Sequence, residues 1–290
     1  MSERRPDRVA LVTGASSGIG AETARGLARA GYHVVVVGRN SVRTREVAES
    51  IRTAGYSAEH VLADFSSLEQ VREVAKAFEP RHPRLHVLVN NAGLWHPDRR
   101  LSQDGHEETF AVNHLAPFLL TRLLEGKLIS TPGARVVTVS SRLHIKPPSF
   151  DFADVMSEQK YEGIYVYSKS KLANVLFSNE LARRLKCHGV TSNSVHPGSV
   201  VTNVVRDSRF LSWGASLPLP WLKSPVEGAR PSLFVATSPT LSGVTGCYFA
   251  SSSRGGGRDT RAHVPSRAAL DVRAAEQLWA LSDRLVARFL

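Results

Sequence analysis

The sequence predicts an α/β fold: a single domain over residues 1–290, built on a doubly wound sheet of about seven parallel strands flanked by helices. Three observations carry this expectation. Segments rich in β-branched residues alternate with segments of helical periodicity, the pattern of a parallel sheet covered on both faces. The first apolar segment, Val9–Val12, runs through Thr13-Gly14-Ala15-Ser16-Ser17-Gly18-Ile19-Gly20 straight into a helical pattern. With 42% hydrophobic and 22% charged residues, the 290-residue chain can bury one large core, and no linker or repeat divides it.

In chain order, the expected strands are Arg8–Val12, His33–Val37, Glu59–Ala63, His86–Asn90, Arg135–Val139, Thr191–Val195 and Cys247–Ala250. A helix from about Ser41 to Ala54 stops at Gly55, and Ser67-Leu68-Glu69-Gln70 opens the next as a capping box. Another helix carries Phe110, Leu115, Phe118, Leu119 and Leu123. Apolar residues at Leu278, Leu281, Leu285 and Phe289 define a C-terminal helix over about 271–289. Two irregular stretches, Arg142–Ile164 and Ser199–Pro225, are long enough to be functional, and Ser251–Arg258 reads as a surface loop.

Composition narrows the function classes. No run of eighteen apolar residues is present and the charged start lacks a signal-peptide core, so a cytoplasmic chain outside the membrane is expected. Cys187 and Cys247 imply no disulfide framework, and Pro83 between His82 and His86 argues against a shared helix face, so no metal is expected. The net charge of +11 is spread thinly, without a lysine run or interleaved aromatics, and no nucleic-acid partner is expected. Arginine dominates that charge, as in chains from GC-rich genomes.

The glycine cluster is where the chemistry starts. Gly14, Gly18 and Gly20 let the backbone turn sharply and approach a pyrophosphate, while Ser16, Ser17 and Ile19 bring the first N–H groups of a helix to it. This is the arrangement of a Rossmann-type dinucleotide site, here spaced Gly-x-x-x-Gly-x-Gly. The second strand ends in Gly38-Arg39-Asn40, and no acid occurs between Tyr32 and Arg45. An NAD site places a carboxylate there. Arg39 suits a 2′-phosphate instead, so NADP(H) is the expected cofactor, and Gly38→Asp would shift preference towards NADH. Asp64, followed by Phe65, either meets the adenine amino group or caps the next helix. Asn90, Asn91, Ala92 and Gly93 either face the nucleotide's ribose or tie strands together.

Tyr167 and Lys171 stand four apart on a helical pattern and so share one face, as do Tyr165 and Lys169. An ammonium beside a phenol favours the phenolate, so a lowered tyrosine pKa and a general acid or base are expected. Ser140 and Ser141 end the fifth strand, at the edge where doubly wound sheets bind ligands. His196-Pro197-Gly198 turns the chain abruptly after the sixth strand, towards Val200 and Thr202.

These stretches, in this order and over nearly the whole chain, resemble the short-chain dehydrogenase/reductase family. Thr109–Leu115, Ser170–Phe177 and Leu278–Ser282 make the retinol-dehydrogenase branch the nearest likeness. The resemblance implies Tyr167 rather than Tyr165 as the acid/base and Ser141 rather than Ser140 as the group orienting a carbonyl. It also implies Asn113 holding a water that relays protons to Lys171, with Lys171 on the nicotinamide ribose and Thr202 on the carboxamide or phosphate. A homo-oligomer, dimer or tetramer, is expected with it. The N-terminal apolar segment of membrane-attached members is lacking here, and Arg254–Arg261 looks like an insertion.

The function expected is interconversion of a carbonyl and an alcohol on a lipophilic or bulky small molecule. Phe210, Leu211, Trp213, Leu217, Leu219, Trp221 and Leu222 in the substrate loop 199–225 either line that site or pack elsewhere, with Trp95, Phe152 and Tyr165 opposite. Two other readings stay open: an epimerase or amine/hemiaminal oxidoreductase of secondary metabolism, and a non-catalytic NADP(H) sensor. Intact Asn113, Ser141, Tyr167 and Lys171 speak against the sensor.

Overall fold

A computed structural model describes residues 7–198, 223–251 and 260–290. Eight strands form one sheet: β1 (Val9–Val12), β2 (His33–Gly38), β3 (Ala58–Leu62), β4 (Val87–Asn90), β5 (Arg135–Val139), β6 (Thr191–His196), β7 (Tyr248–Ser251) and β8 (Thr260–His263). Their order is β3-β2-β1-β4-β5-β6-β7-β8, parallel through β7. The seven expected strands are all present. The eighth adds to the expected seven: Thr260–His263 pairs antiparallel to β7. Three of its four residues are exposed, so it has no buried face to leave a pattern in the sequence.

Alternate residues of each strand feed two cores. Leu11, Val35, Val37, Leu88 and Val136 point to one face, covered by α3 (Leu68–Phe78), α4 (Ala116–Leu123), α5 (Gly163–Leu185) and α7 (Val272–Val286). Ala10, Val12, Val34, Val36, Val89 and Val137 point to the other, under α1 (Gly18–Arg29), α2 (Ser41–Thr53) and α6 (Pro225–Thr237). No helix of the described residues is long and apolar enough to cross a membrane.

The capping box at α3 is only half formed. Ser67 Oγ accepts from Gln70 N–H, but the Gln70 side chain turns to accept from Asp64 N–H instead. Ahead of α4, residues Ala111–Leu115 take one π-helical turn, a widening that sequence periodicity does not register because all five are buried. The order of connections reverses between β1 and β4, which opens a crevice beyond the carboxyl ends of those strands.

Candidate active site

At that crevice the β1–α1 turn is shaped by missing side chains. Gly14 and Gly18 have φ of 63° and 58°, the left-handed region. A Cβ on Gly14 would lie 2.7 Å from Ala92 Cα, and one on Gly20 would lie 2.3 Å from Gly14 O. Ser16, Ser17 and Gly18 are half-buried, and the first turn of α1 carries no acid. An accessible helix N-terminus behind a close-packed glycine turn fits a pyrophosphate.

The turn is held from β4. Asn91 Nδ2 donates to Thr13 O at 2.8 Å and to Gly14 O at 3.2 Å. Thr13 Oγ1 accepts from the N–H groups of Asn91 and Ala92, both at 3.0 Å. Asn90 donates to Thr121 Oγ1 at 3.1 Å. Both asparagines therefore tie elements together. Asn91 fixes the wall of the groove through its Nδ2.

At the end of β2, Arg39 is exposed and makes no ion pair among the described residues. Asn40 uses its side chain to cap α2, accepting from Arg43 N–H at 2.9 Å. A Cβ on Gly38 would meet Thr44 Oγ1 at 2.6 Å and Ser16 Cβ at 2.9 Å, so an aspartate cannot simply be placed there. Asp64 accepts from Ser66 N–H at 3.0 Å, a local turn at the start of the α3 connection. Phe65 buries its ring in the core, 6% exposed, so only its main chain is left for a ligand.

Opposite the glycine turn stand β5, the π turn and α5. Ser140 Oγ is buried and donates to Lys171 O at 2.7 Å, a strut between β5 and α5. Ser141 is half-buried, its Oγ accepts from Leu143 N–H at 3.2 Å, and its hydroxyl draws the Tyr167 pKa down. Lys171 Nζ donates to Val139 O at 3.2 Å and lies 5.5 Å from the centre of the Tyr167 ring. Lys169 points away, donating to Asp154 O at 2.6 Å and Ser157 Oγ at 2.8 Å. That removes Tyr165/Lys169 as the competing pair.

Asn113, in the π turn, grips the chain after Gly93. Its Oδ1 accepts from Leu94 N–H at 2.7 Å, and its Nδ2 donates to Leu94 O and to Ser170 Oγ, both at 2.9 Å. A Cβ on Gly93 would lie 3.1 Å from Asn113 Oδ1 and 3.3 Å from Lys171 Nζ. Asn113, Gly93 and Lys171 thus meet at one point on the wall of the crevice.

The electrostatics differ from the sequence expectation. Burial pushes the Tyr167 phenol up to about 12, with the Ser141 hydroxyl pulling the other way. Burial takes Lys171 down to about 8. The ammonium sits over the ring and is bonded to a carbonyl, and desolvation outweighs its pull on the phenol. At neutral pH the tyrosine is a neutral donor, not a ready phenolate.

Beyond β6, Pro197 and Gly198 are half-buried, and Gly198 has φ of 92°. A Cβ there would lie 2.8 Å from Lys223 Cδ, and Lys223 Nζ bonds Ser251 Oγ. The sequence reading did not single out Lys223, because folding alone brings it beside Gly198. Next to Ser141 a cavity of about 350 Å³ is lined by Arg142, His144, His196, Tyr248 and His263, a polar wall the sequence reading also missed. Its His196 accepts from Arg142 N–H at 3.3 Å and is held at about 4, by burial first and by Arg142 and Lys223 next. Tyr165 and Trp95 are half-buried, while Phe152 packs on Phe150 with centroids 4.8 Å apart. Val200, Thr202 and loop residues 199–222 lie outside the described residues.

Known proteins resemble this chain in sequence and in fold. A family model described as short chain dehydrogenase matches residues 8–210. Retinol dehydrogenase 14 of Mus musculus is 38% identical, over 96% of this chain and 86% of its own. The WW domain-containing oxidoreductase of Gallus gallus is 39% identical over 96% of this chain and 68% of its own. Among solved structures, an uncharacterised protein from Mycobacterium paratuberculosis superposes with a TM-score of 0.78 at 32% identity, covering 97% of this chain and 93% of that one. A short chain dehydrogenase from Burkholderia cenocepacia J2315 in complex with NADP gives 0.69 at 27% identity, covering 86% and 97%.

Proposed function

The chain belongs to the short-chain dehydrogenase/reductase family of oxidoreductases, and from that premise we propose that it interconverts a carbonyl and an alcohol on a bulky small molecule with NADP(H). The observation that carries this reading is Lys171 Nζ standing 5.5 Å from the centre of the Tyr167 ring and beside Gly93, on the wall of the crevice that the glycine turn opens onto.

Gly14, Ser16, Ser17, Gly18, Ile19 and Gly20 hold the pyrophosphate through main-chain N–H groups and the α1 dipole. Arg39 meets the 2′-phosphate, and Asp64 with the main chain of Phe65 flanks the adenine. Ala92 and Gly93 leave room for the ribose, whose hydroxyls Lys171 grips. Pro197 and Gly198 present main-chain groups to the carboxamide, with Val200 and Thr202 following. The bound nicotinamide supplies the hydride, or receives it in the reverse direction.

Ser141 and Tyr167 hydrogen-bond the carbonyl oxygen and fix its orientation. In reduction the phenol of Tyr167 gives its proton to that oxygen as negative charge develops there. The phenol is protonated at neutral pH, as a proton donor in reduction must be. Lys171, seated beside Asn113, stabilises the resulting phenolate and gives it a proton that solvent then replaces. The lipophilic part of the substrate rests on loop 199–225, while the polar cavity beside Ser141 offers a handle for a hydroxyl or carbonyl group. The test is NADPH consumption by the purified protein against ketones and aldehydes graded by size, with NADH in parallel. Turnover of bulky carbonyls with NADPH supports the reading; no turnover with any carbonyl or alcohol contradicts it.

A further inference from the structure

At the sheet edge opposite the crevice, three side chains from distant stretches converge. His33 opens β2, Glu59 lies in β3, and His82 follows α3. Val35 pairs with Glu59 across β2 and β3, so residues 33, 35 and 59 project to one face. Phe78 of α3 packs on the His82 ring, 4.5 Å between centroids, and seats that imidazole on the same face. His82 Nε2 lies 2.6 Å from Glu59 Oε1, and His33 Nε2 lies 3.9 Å from the same oxygen. One ligand atom from each residue falls within 4.8 Å of the others.

Two features go beyond an ion pair. His33 Nδ1 bonds Ser57 Oγ at 2.7 Å, which leaves Nε2 as the nitrogen facing Glu59. That Nε2 is buried without a hydrogen-bond partner, on a side chain 2% exposed. Buried nitrogens of this kind are costly and call for a bound species.

We propose that His33 Nε2, Glu59 and His82 Nε2 bind one divalent transition metal of the zinc class, clasping β2 and β3 to the turn after α3. Two imidazoles and one carboxylate suit zinc, whereas magnesium and calcium favour all-oxygen sets. Tetrahedral bonds of about 2.0–2.1 Å space ligand atoms roughly 3.3 Å apart, within the range these three span. Binding displaces the proton between His82 and Glu59, which leaves to solvent. The Ser57 hydrogen bond orients His33 as an outer partner does in known zinc sites. Arg81, 4.0 Å from Glu59 Oε2 and half exposed, is free to swing outward, and water completes the shell. None of these positions has metal-site spacing in the sequence, which is why no metal was expected there.

The test uses tag-free full-length protein, stripped with chelator and titrated with Zn²⁺ by calorimetry. One equivalent binds, and at roughly 100 times Kd the Tm rises by about 5 °C. Co²⁺ in the same protein gives the intense visible absorption of a four-coordinate site. His33→Gln or His82→Gln weakens binding by more than about 100-fold, and Ser57→Ala by about tenfold, with circular dichroism unchanged. Absence of saturable binding, a six-coordinate Co²⁺ spectrum, or variants that bind like the parent would overturn the proposal. Should the histidine variants misfold, the Co²⁺ spectrum and the Ser57→Ala titration decide it alone.

Discussion

Lys171 stands one helical turn beyond Tyr167 on α5, with its Nζ 5.5 Å from the centre of the phenol ring and bonded to Val139 O. The half-buried Tyr167 and the buried Lys171, each shifted towards its neutral form, therefore share one wall of the crevice. Burial dominates their mutual attraction, and that order of effects fixes what the pair does at neutral pH.

Stability should record it. Lys171 titrates at about 8 when folded and higher when unfolded, so between those values the unfolded chain binds the extra proton. Stability therefore rises as pH climbs through this window, and below it the folded state carries the cost of a buried ammonium. Tyr167 acts oppositely: its folded value near 12 exceeds the unfolded one, so stability falls as pH rises above about 10. Thermal melts of the parent and Lys171→Met from pH 7 to 10 check the first part. The parent gains up to about 3 kcal/mol relative to the variant.

Adjacent serines separate structure from chemistry. Ser140→Ala removes the strut to Lys171 O and costs about 1–3 kcal/mol of stability, with turnover largely kept. Ser141→Ala loses only the cap to Leu143 N–H, about 1 kcal/mol, and lowers kcat by about 100-fold or more. Parallel melts and steady-state kinetics distinguish the two.

Cofactor preference should rest on Arg39. Arg39→Ala is expected to raise the KM for NADPH by about 10–100-fold and leave that for NADH within about twofold, the cost of losing a charge-assisted phosphate contact. Gly38→Asp is a poorer test than the sequence implies. Its Cβ would meet Thr44 and Ser16, so lost folding would mask any change in preference.

Most of the frame was legible in the sequence because burial writes itself into strands such as Val34–Val37 and into the glycine turn. β8 was not, since Thr260–His263 owes its conformation to the β7 edge beside it. The π turn at Asn113 was hidden because five buried residues look the same at either pitch. The described motif residues line one crevice, but the partners of Asn40, Asn91 and Phe65 are visible only in three dimensions. The same holds for the tyrosine: the spacing to Lys171 was plain, while the desolvation that raises its pKa was not.

The most direct measurement is the single-turnover rate of Tyr167→Phe with NADPH and a carbonyl the parent reduces, alongside its NADPH affinity. A loss of about 10³-fold in rate or more with affinity within about twofold is the predicted result. A variant without the phenol that reduces the carbonyl at the parent's rate would contradict the assignment of proton transfer to this residue.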